Sequence, residues 1–164
     1  MEDQKLFAQR VRELFDYSPD TGAFLRRVRT SKSVQAGTVA GSVRRDGYRV
    51  IRVDGVLYLA HRLAWVHTYG VWPSHKIDHK DGDPGNNRFA NLRDVSDRVN
   101  AQNKRVAQSN NASGFLGVVM RRGKPEGQIR VEGKAHRLGV HKTPAEAHLT
   151  YLKAKRKLHP GCTI

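Results

Sequence analysis

Cysteine is almost absent from this chain. Among 164 residues only Cys162 is a cysteine, so no internal disulfide and no cysteine-based zinc site can form. Aromatic residues make up 7% of the sequence, and no apolar run approaches the length of a membrane span. The first residues, MEDQKLFAQRVREL, are charged and amphipathic, unlike a signal peptide. These absences argue against a disulfide-stapled secreted protein and a membrane protein, and a reducing interior is the expected compartment.

Acidic residues are also scarce relative to basic ones. Thirty Lys and Arg stand against fifteen Asp and Glu, which gives a formal net charge of +15 and a pI near 10.5. From residue 104 to the end there are thirteen basic and three acidic residues, so two thirds of the net charge lies there. Such a field attracts a polyanion, and nucleic acid is the usual one. The sequence shows no long basic amphipathic helix, so a membrane surface is not the expected partner.

Hydrophobic spacing and turn residues predict the elements of the first hundred residues. An amphipathic helix is expected over 4–15, followed by a turn at 18–22. Strands are expected at 24–28, 38–43, 48–53 and 56–61, with Asp54-Gly55 as a two-residue hairpin turn between the last two. A helix over 61–69 should end at Gly70. Short strands at 76–79 and 91–95 and a helix over 97–104, capped by Ser96, complete this part.

One polar constellation in this stretch carries chemistry. Asp78 and His79 end one predicted strand, Asn91 begins the next, and Asn100 lies on the following helix. Phosphodiester hydrolysis needs a base that takes a proton from water, and a neutral histidine serves near pH 7. It also needs a hard divalent cation, for which carboxylate and amide oxygens are suitable ligands. The competing interpretation is a set of ordinary turn residues, since Asx-Gly loops are common.

The segment resembles the HNH endonuclease family, in the Asn-rich version of phage and intron-encoded homing enzymes. The resemblance covers roughly residues 58–104 and rests on Asp78, His79, Asp81, Gly82, Asn86, Asn87, Asn91, Leu92, Arg93 and Asn100. It implies a ββα-metal fold with His79 as general base and Asn91 as the residue that positions it. It also implies that Asp78 and Asn100 bind one divalent ion, Mg²⁺ or Mn²⁺, without structural zinc. Asn86 and Asn87 are expected to brace the loop.

Basic residues flank this constellation. Arg88 and Arg93 are candidates for holding phosphate oxygens, and the competing interpretation for each is a solvated loop charge. His61 and His67 lie in the apolar helix with Trp65, and we expect them to pack or hydrogen-bond there and not to bind metal.

The C-terminal fifty residues resemble the plant ethylene-response-factor (Apetala-type) DNA-binding domain. Strands are expected at 115–122, 128–131 and 135–140, and a capping-box helix is expected from Thr143-Pro144 onward. The resemblance implies a three-stranded antiparallel sheet backed by one helix, with the sheet in the major groove of DNA. The candidate DNA-binding residues are Arg121, Arg122, Lys124, Gln128, Arg130 and Arg137. Members of that family usually have a tryptophan at the position of Pro125 or its neighbours. This chain has no tryptophan there, which affects the expected reading of specific bases.

Together these patterns predict an α+β protein with four parts. Residues 1–57 form an N-terminal helix with a small antiparallel sheet, and 58–104 form the ββα-metal nuclease core. Residues 105–113 form a linker, and 114–164 form the basic DNA-binding domain.

The predicted function is metal-dependent cleavage of double-stranded DNA by a monomer or homodimer. The expected location is the cytoplasm of a bacterial or phage-infected cell, with no membrane partner. The alternative is a non-catalytic, sequence-specific DNA-binding regulator that uses the same sheet. An RNA-binding protein is a weaker alternative, because no aromatic-rich strand offers a stacking surface for single-stranded bases.

Overall fold

A computed structural model describes residues 2–29 and 34–164 and divides the chain into two compact units, Met1–Ser96 and Asp97–Ile164. The described residues form four α-helices, one 3-10 helix and ten strands in four small antiparallel sheets. Within these residues no helix has the length and apolar character needed to cross a bilayer. The mixed α/β composition with small antiparallel sheets agrees with the predicted α+β class.

The first unit contains most of the short strands. Its elements are α1 (Glu2–Leu14), β1 (Phe15–Tyr17), β2 (Phe24–Arg26), β3 (Ser42–Val43), β4 (Arg49–Val53), β5 (Val56–Leu59), α2 (Ala60–Tyr69), β6 (Lys76–His79), a 3-10 helix (Phe89–Asn91) and β7 (Leu92–Val95). The sheets are β1–β2, β3–β4–β5 and β6–β7. The predicted first helix is confirmed except at its end, where Phe15 starts β1 by pairing with Arg26.

The core of the first unit lies between α1, α2 and the faces of β1, β2 and β4. Phe24, Ile51 and Leu63 are completely or almost completely buried there. Full burial of an apolar side chain of this size contributes roughly 1.5–3 kcal/mol. Ile77 of β6 and Leu92 of β7 belong to the same cluster, so the β6–β7 hairpin is anchored in this core.

Hairpins in both units turn through two residues with positive φ. Asp54 and Gly55 have φ of 44° and 87°, as the sequence predicted for the β4–β5 turn. Glu132 and Gly133 have φ of 50° and 80° in the turn between the last two strands of the chain. Such turns match the right-handed twist of the strands, and glycine adopts positive φ without steric cost.

The second unit is a three-stranded sheet covered by a long helix. Its elements are α3 (Asp97–Gln102), β8 (Val118–Arg121), β9 (Lys124–Val131), β10 (Lys134–Val140) and α4 (Pro144–Leu158), with sheet order β10–β9–β8. Val118 and Ile129 of the sheet and Ala147 and Tyr151 of α4 are buried. The predicted helix start is confirmed, because the Thr143 side chain accepts a hydrogen bond from the Glu146 amide at 3.2 Å.

The compact units divide at a different position from the predicted domains. The second unit includes α3 and residues 105–113, which the sequence assigned to the nuclease core and to a linker. Gln102 accepts a hydrogen bond from the Gly161 amide at 3.0 Å, and Arg105 donates to the Thr163 carbonyl at 3.2 Å. These bonds tie the residues around α3 to the C-terminal end of the chain.

Candidate active site and basic sheet face

The end of β6 places Asp78 and His79 side by side in the interior of the first unit. They are 7% and 4% exposed. In the antiparallel pair with β7, Asp78 lies opposite Arg93 and His79 opposite Leu92. Because successive side chains of a strand point to opposite faces, His79 shares the face of the core residue Ile77 and Asp78 lies on the other face.

Arg93 binds the carboxylate of Asp78. Its Nε and Nη2 donate to Oδ2 at 2.9 and 2.7 Å, and the two side chains are only 20% and 8% exposed. Arg93 was a candidate from the sequence for holding a phosphate oxygen, and the structure places its guanidinium on Asp78. Direct cross-strand pairing explains this interaction, since opposite residues of an antiparallel pair share one face.

The amide of Asn87 contacts the imidazole of His79. Asn87 Oδ1 lies 3.2 Å from His79 Nε2, and Asn87 Nδ2 donates to the Gly85 carbonyl at 3.3 Å. Because Gly85 offers an acceptor, the amide nitrogen belongs there and the amide oxygen faces the ring. Nε2 is then the protonated nitrogen of the neutral imidazole. Nδ1 is consequently the nitrogen that can accept a proton.

Asn91 holds the loop that follows β6. Its Oδ1 accepts from the Asp81 amide at 3.0 Å, and its Nδ2 donates to Asp81 Oδ1 at 2.9 Å and to the Asn86 carbonyl at 2.8 Å. The resemblance implied that Asn91 positions His79 and that Asn87 braces the loop. In the structure Asn87 lies on the ring, while Asn91 ties the loop together. Both asparagines lie in the segment between β6 and β7, so local spacing does not show which of them reaches the ring.

Asp81 is ionised within this loop. Burial raises its pKa, but hydrogen bonds from the Asp83 amide and from the side chains of Asn86 and Asn91 lower it, and the net direction is downward. The carboxylate therefore accepts these bonds in its charged form, which makes them stronger than neutral ones. The loop that carries Asn87 is thus closed by polar contacts and not by apolar packing.

An N-terminal turn fixes the backbone of Asn87. The buried Tyr17 hydroxyl donates to the Asn87 carbonyl at 2.7 Å, and burial raises the pKa of Tyr17. The Phe89 amide donates to the Pro19 carbonyl at 2.9 Å. A Cβ on Gly22, where φ is 75°, would lie 2.4 Å from the Asn87 carbonyl carbon. The turn at 18–22 was predicted, but its position against the loop was not visible in the sequence.

Two rings border the imidazole of His79. The ring centroid of His61 lies 5.1 Å away at 85°, and that of Tyr48 lies 5.9 Å away. Burial, followed by the charges of His79 and Arg62, lowers the pKa of His61 to about 3, so His61 is neutral at physiological pH. His67 packs against Tyr17 with centroids 5.7 Å apart. The prediction that His61 and His67 are packing residues is confirmed.

Two further site residues were predicted, Arg88 and Asn100. Arg88 is exposed on the loop, and its role at phosphate stays a prediction. Asn100 is half-buried on α3, which belongs to the second unit, and its role as a metal ligand also stays a prediction.

The second unit presents its basic residues on the sheet face opposite α4. Strand pairing sets Arg121 opposite Lys124 and Arg137 opposite Gln128, while Arg130 lies two residues further along β9. Alternation along the strands places these five on one face, and Ile129 is buried against the helix on the other. All are exposed except the half-buried Gln128. Arg122 lies in the β8–β9 turn with φ of 49°.

Comparison with known proteins bears on the first of these regions. Residues 58–102 match the family model for HNH endonuclease, a range that contains Asp78, His79, Asn87, Asn91 and Asn100. A sequence search of curated proteins gave no match. A solved structure described as "DNA binding and cleavage by the HNH homing endonuclease I-HmuI" aligns with 24% identity over 90% of this chain and 88% of that one. Its TM-score of 0.42 is too low to establish a common fold.

The family match and the geometry concern the same residues. The matched range runs from β5 to the end of α3 and includes the complete β6–β7 hairpin with its loop. Residues 58–102 therefore form a segment that matches the HNH endonucleases, and this match supports an enzyme that cleaves DNA by hydrolysis.

Proposed function

We propose that the chain is a metal-dependent endonuclease for double-stranded DNA in which Nδ1 of His79 is the general base. One observation carries this proposal: Asn87 Oδ1 faces Nε2 of the buried His79 at 3.2 Å. The contact selects the tautomer with a proton on Nε2 and leaves Nδ1 as the acceptor for a water proton.

The hydrogen bond to Asn87 also serves the charged form of the base. When Nδ1 takes the proton from water, the imidazolium still donates from Nε2 to the amide oxygen of Asn87. Since His61 stays neutral, its ring adds no positive charge next to the protonated imidazole of His79. The site thus holds one ring orientation throughout proton transfer. The proton is later released to solvent or to the leaving oxygen.

The residues present fit a hard divalent cation. Asp78 supplies a buried carboxylate, one oxygen of which is bound by Arg93, and across residues 2–29 and 34–164 no group of three His, Cys, Asp or Glu could hold an ion by itself. Mg²⁺ commonly binds through one or two carboxylates together with water and substrate phosphate oxygens, which suits this donor set. When bound, the cation would neutralise charge on the phosphate and the leaving oxygen. Asn100 is the second ligand that the sequence predicts.

The basic sheet face of the second unit is proposed as the main DNA-binding surface. Exposed Arg121, Lys124, Arg130 and Arg137 project from one sheet, and the chain has a net charge of +15. Phosphate neutralisation by such a surface supplies affinity without sequence preference and makes binding strongly salt-dependent. The likeness of this unit to the Apetala-type domain, and of the β6–β7–α3 order to the ββα-metal motif, remains a proposal from the sequence.

The deciding experiment is cleavage of supercoiled plasmid in Mg²⁺ or Mn²⁺ by the wild type, by His79→Ala and by His75→Ala. His75 is an exposed histidine of the same unit, so its loss is a matched control. We expect His79→Ala to lower the cleavage rate by roughly 10²- to 10⁴-fold, the usual contribution of a general base. His75→Ala should cleave like the wild type, and EDTA should stop cleavage.

Three other results would point elsewhere. Cleavage that survives in His79→Ala would show that another residue is the base. Cleavage that persists in EDTA would remove the metal from the proposal. Binding without cleavage by pure wild type in both metals would favour the DNA-binding regulator.

A further inference from the structure

A carboxylate is buried on the otherwise open face of the second unit's sheet. Glu126 in β9 is 4% exposed, although the next residues on the same face, Gln128 and Arg130, are half-buried and exposed. An ionised carboxylate loses several kcal/mol of hydration when it is buried, of the order given for ions in protein interiors, unless cations or donors replace the water. The groups that cover Glu126 therefore show how its lost hydration is compensated.

Two arginines cover Glu126, one from each neighbouring strand. Nε of Arg121 lies 3.5 Å from Oε1 of Glu126, and Nε of Arg137 lies 3.2 Å from the same oxygen. Oε1 makes no well-aligned hydrogen bond, so the attraction is that of two ion pairs. The strand register explains the geometry, because each arginine pairs opposite a residue two positions from Glu126 along β9 and is its diagonal neighbour.

Both arginine side chains remain at least half exposed despite their contacts with Glu126. Each ion pair involves Nε, and the side chains of Arg121 and Arg137 are still 50% and 64% exposed. The paired terminal nitrogens of a guanidinium form the fork that fits the O6 and N7 atoms of guanine. Arg121 and Arg137 therefore keep their base-reading groups while their side chains are tied at Nε.

Burial of Glu126 makes this arrangement persistent. If both arginines swung away to reach phosphates, a buried carboxylate would remain uncompensated, and breaking such a pair is strongly unfavourable. Tying the side chains in advance also reduces the entropy lost when they bind a ligand. For phosphate binding alone, the negative charge of Glu126 would be a disadvantage, because it weakens the attraction for a polyanion.

We propose that Glu126 is a positioning residue that fixes Arg121 and Arg137 as a pair for reading guanines in double-stranded DNA. The proposal rests on the DNA-binding function proposed for this sheet and adds the residue that gives it sequence preference. Glu126 itself contacts no base and acts only through the two arginines.

The test uses the full chain in EDTA, so that DNA is bound and not cut. A random duplex library is first selected on the wild type, and fluorescence anisotropy then gives the dissociation constants for the enriched duplex and a scrambled one. For Glu126→Gln we expect the ratio of the two constants to fall about tenfold, within the range for a good arginine–guanine contact. Affinity for the scrambled duplex should stay equal or increase. Glu132→Gln, which removes an exposed carboxylate from the β9–β10 turn, should keep the ratio.

A second variant keeps the proposal testable if Glu126→Gln does not fold. The double change Arg121→Lys and Arg137→Lys keeps both charges but removes both forks, and it should also lower the ratio with an unchanged salt dependence. An unchanged ratio in either folded variant overturns the proposal. Selection on the wild type that enriches no sequence also overturns it and indicates phosphate contact alone. Plasmid cleavage is measured separately in Mg²⁺, so loss of the nuclease proposal is recognised independently.

Discussion

The two units handle their functional polar groups in opposite ways. In the first unit Asp78, His79 and Asn87 are 7%, 4% and 2% exposed, and each is held by a hydrogen bond to a defined partner. In the second unit Lys124 and Arg130 remain exposed. A general base must hold one ring orientation and one tautomer, which burial and fixed partners provide. A surface that attracts a polyanion must keep its charges in reach of the ligand.

One residue of the second unit, Glu126, is an exception that follows the same rule. Glu126 is buried there, and the two arginines above it are the ones whose orientation the structure restricts. In both units, a buried polar group thus accompanies a proposed role that requires a fixed side-chain orientation. Variants that act on one unit at a time can break or sharpen this comparison.

The largest effect is expected from a substitution that damages only the second unit. Gly117 has φ of 76°, and an added Cβ would lie 2.1 Å from ring atoms of Tyr151. Left-handed backbone costs about 1–2 kcal/mol for other residues, and overpacking costs about 1–3 kcal/mol more. Gly117→Ala should therefore lower the free energy of unfolding of this unit by about 3 kcal/mol or more. Gly114→Ala, where φ is 70° and the space is open, should cost about 1–2 kcal/mol.

The measurement uses the position of the two tryptophans. Trp65 and Trp72 both lie in the first unit, so fluorescence reports its unfolding, whereas circular dichroism reports helices of both units. For Gly117→Ala in denaturant, we expect an unchanged fluorescence midpoint and an earlier dichroism transition. A common shift of both signals would mean that the units unfold as one.

The next effect concerns the buried ion pair of the first unit. Arg93→Ala removes an ion-pair partner of Asp78, and weaker compensation of this buried carboxylate should cost about 3 kcal/mol. The tryptophan fluorescence midpoint should shift accordingly. Arg44→Ala, which removes an exposed pair with Asp46, should cost less than about 1 kcal/mol. Equal stability of the two variants would refute the structural role assigned to Arg93.

A smaller effect in free energy is expected from the loop, where substitutions of the neighbouring Asn86 and Asn87 should have different effects on cleavage. Asn87→Ala removes the acceptor for His79 Nε2 and should lower the cleavage rate roughly 10- to 100-fold, as is usual for a residue that orients a catalytic histidine. DNA binding should not change. Asn86→Ala disturbs the same loop through Asp81 but leaves the ring contact in place. Nitrogen NMR of His79 should show loss of the single tautomer only in Asn87→Ala, and equal losses in both variants would indicate loop damage alone.

The smallest effect is a dependence of the first unit's stability on pH. The pKa of His61 is about 3 in the folded chain because of burial and is about 6.5 when unfolded. The unfolded state therefore binds the extra proton between these values, and stability falls as pH decreases below about 6.5. The slope from His61 is at most about 1.4 kcal/mol per pH unit, and the lowered pKa of His67 acts in the same direction. His61→Leu should reduce the slope measured by fluorescence between pH 7.5 and 5, while His75→Ala should keep it.

Local signals in the sequence predicted the elements well. Asp54-Gly55, Gly70 and Thr143-Pro144 each specify a turn or a helix end through backbone conformation or capping, which depend on neighbouring residues only. The strand that carries Asp78 and His79 was predicted at 76–79, and the structure has it at the same residues. β1 was not predicted, because Phe15 continues a helical pattern and becomes a strand residue only through pairing with Arg26.

The sequence by itself determined the chemistry available to this protein: a basic chain with an Asp-His pair, loop asparagines and a strand-rich basic end. Residue types and charges are properties of the chain, so no fold was needed to read them. Only the tertiary structure decided which asparagine reaches His79, that Arg93 binds Asp78, and that Glu126 lies beneath two arginines. Those partners are set by strand register and by packing between distant segments, such as Tyr17 against the Asn87 backbone, and neither is encoded in local spacing.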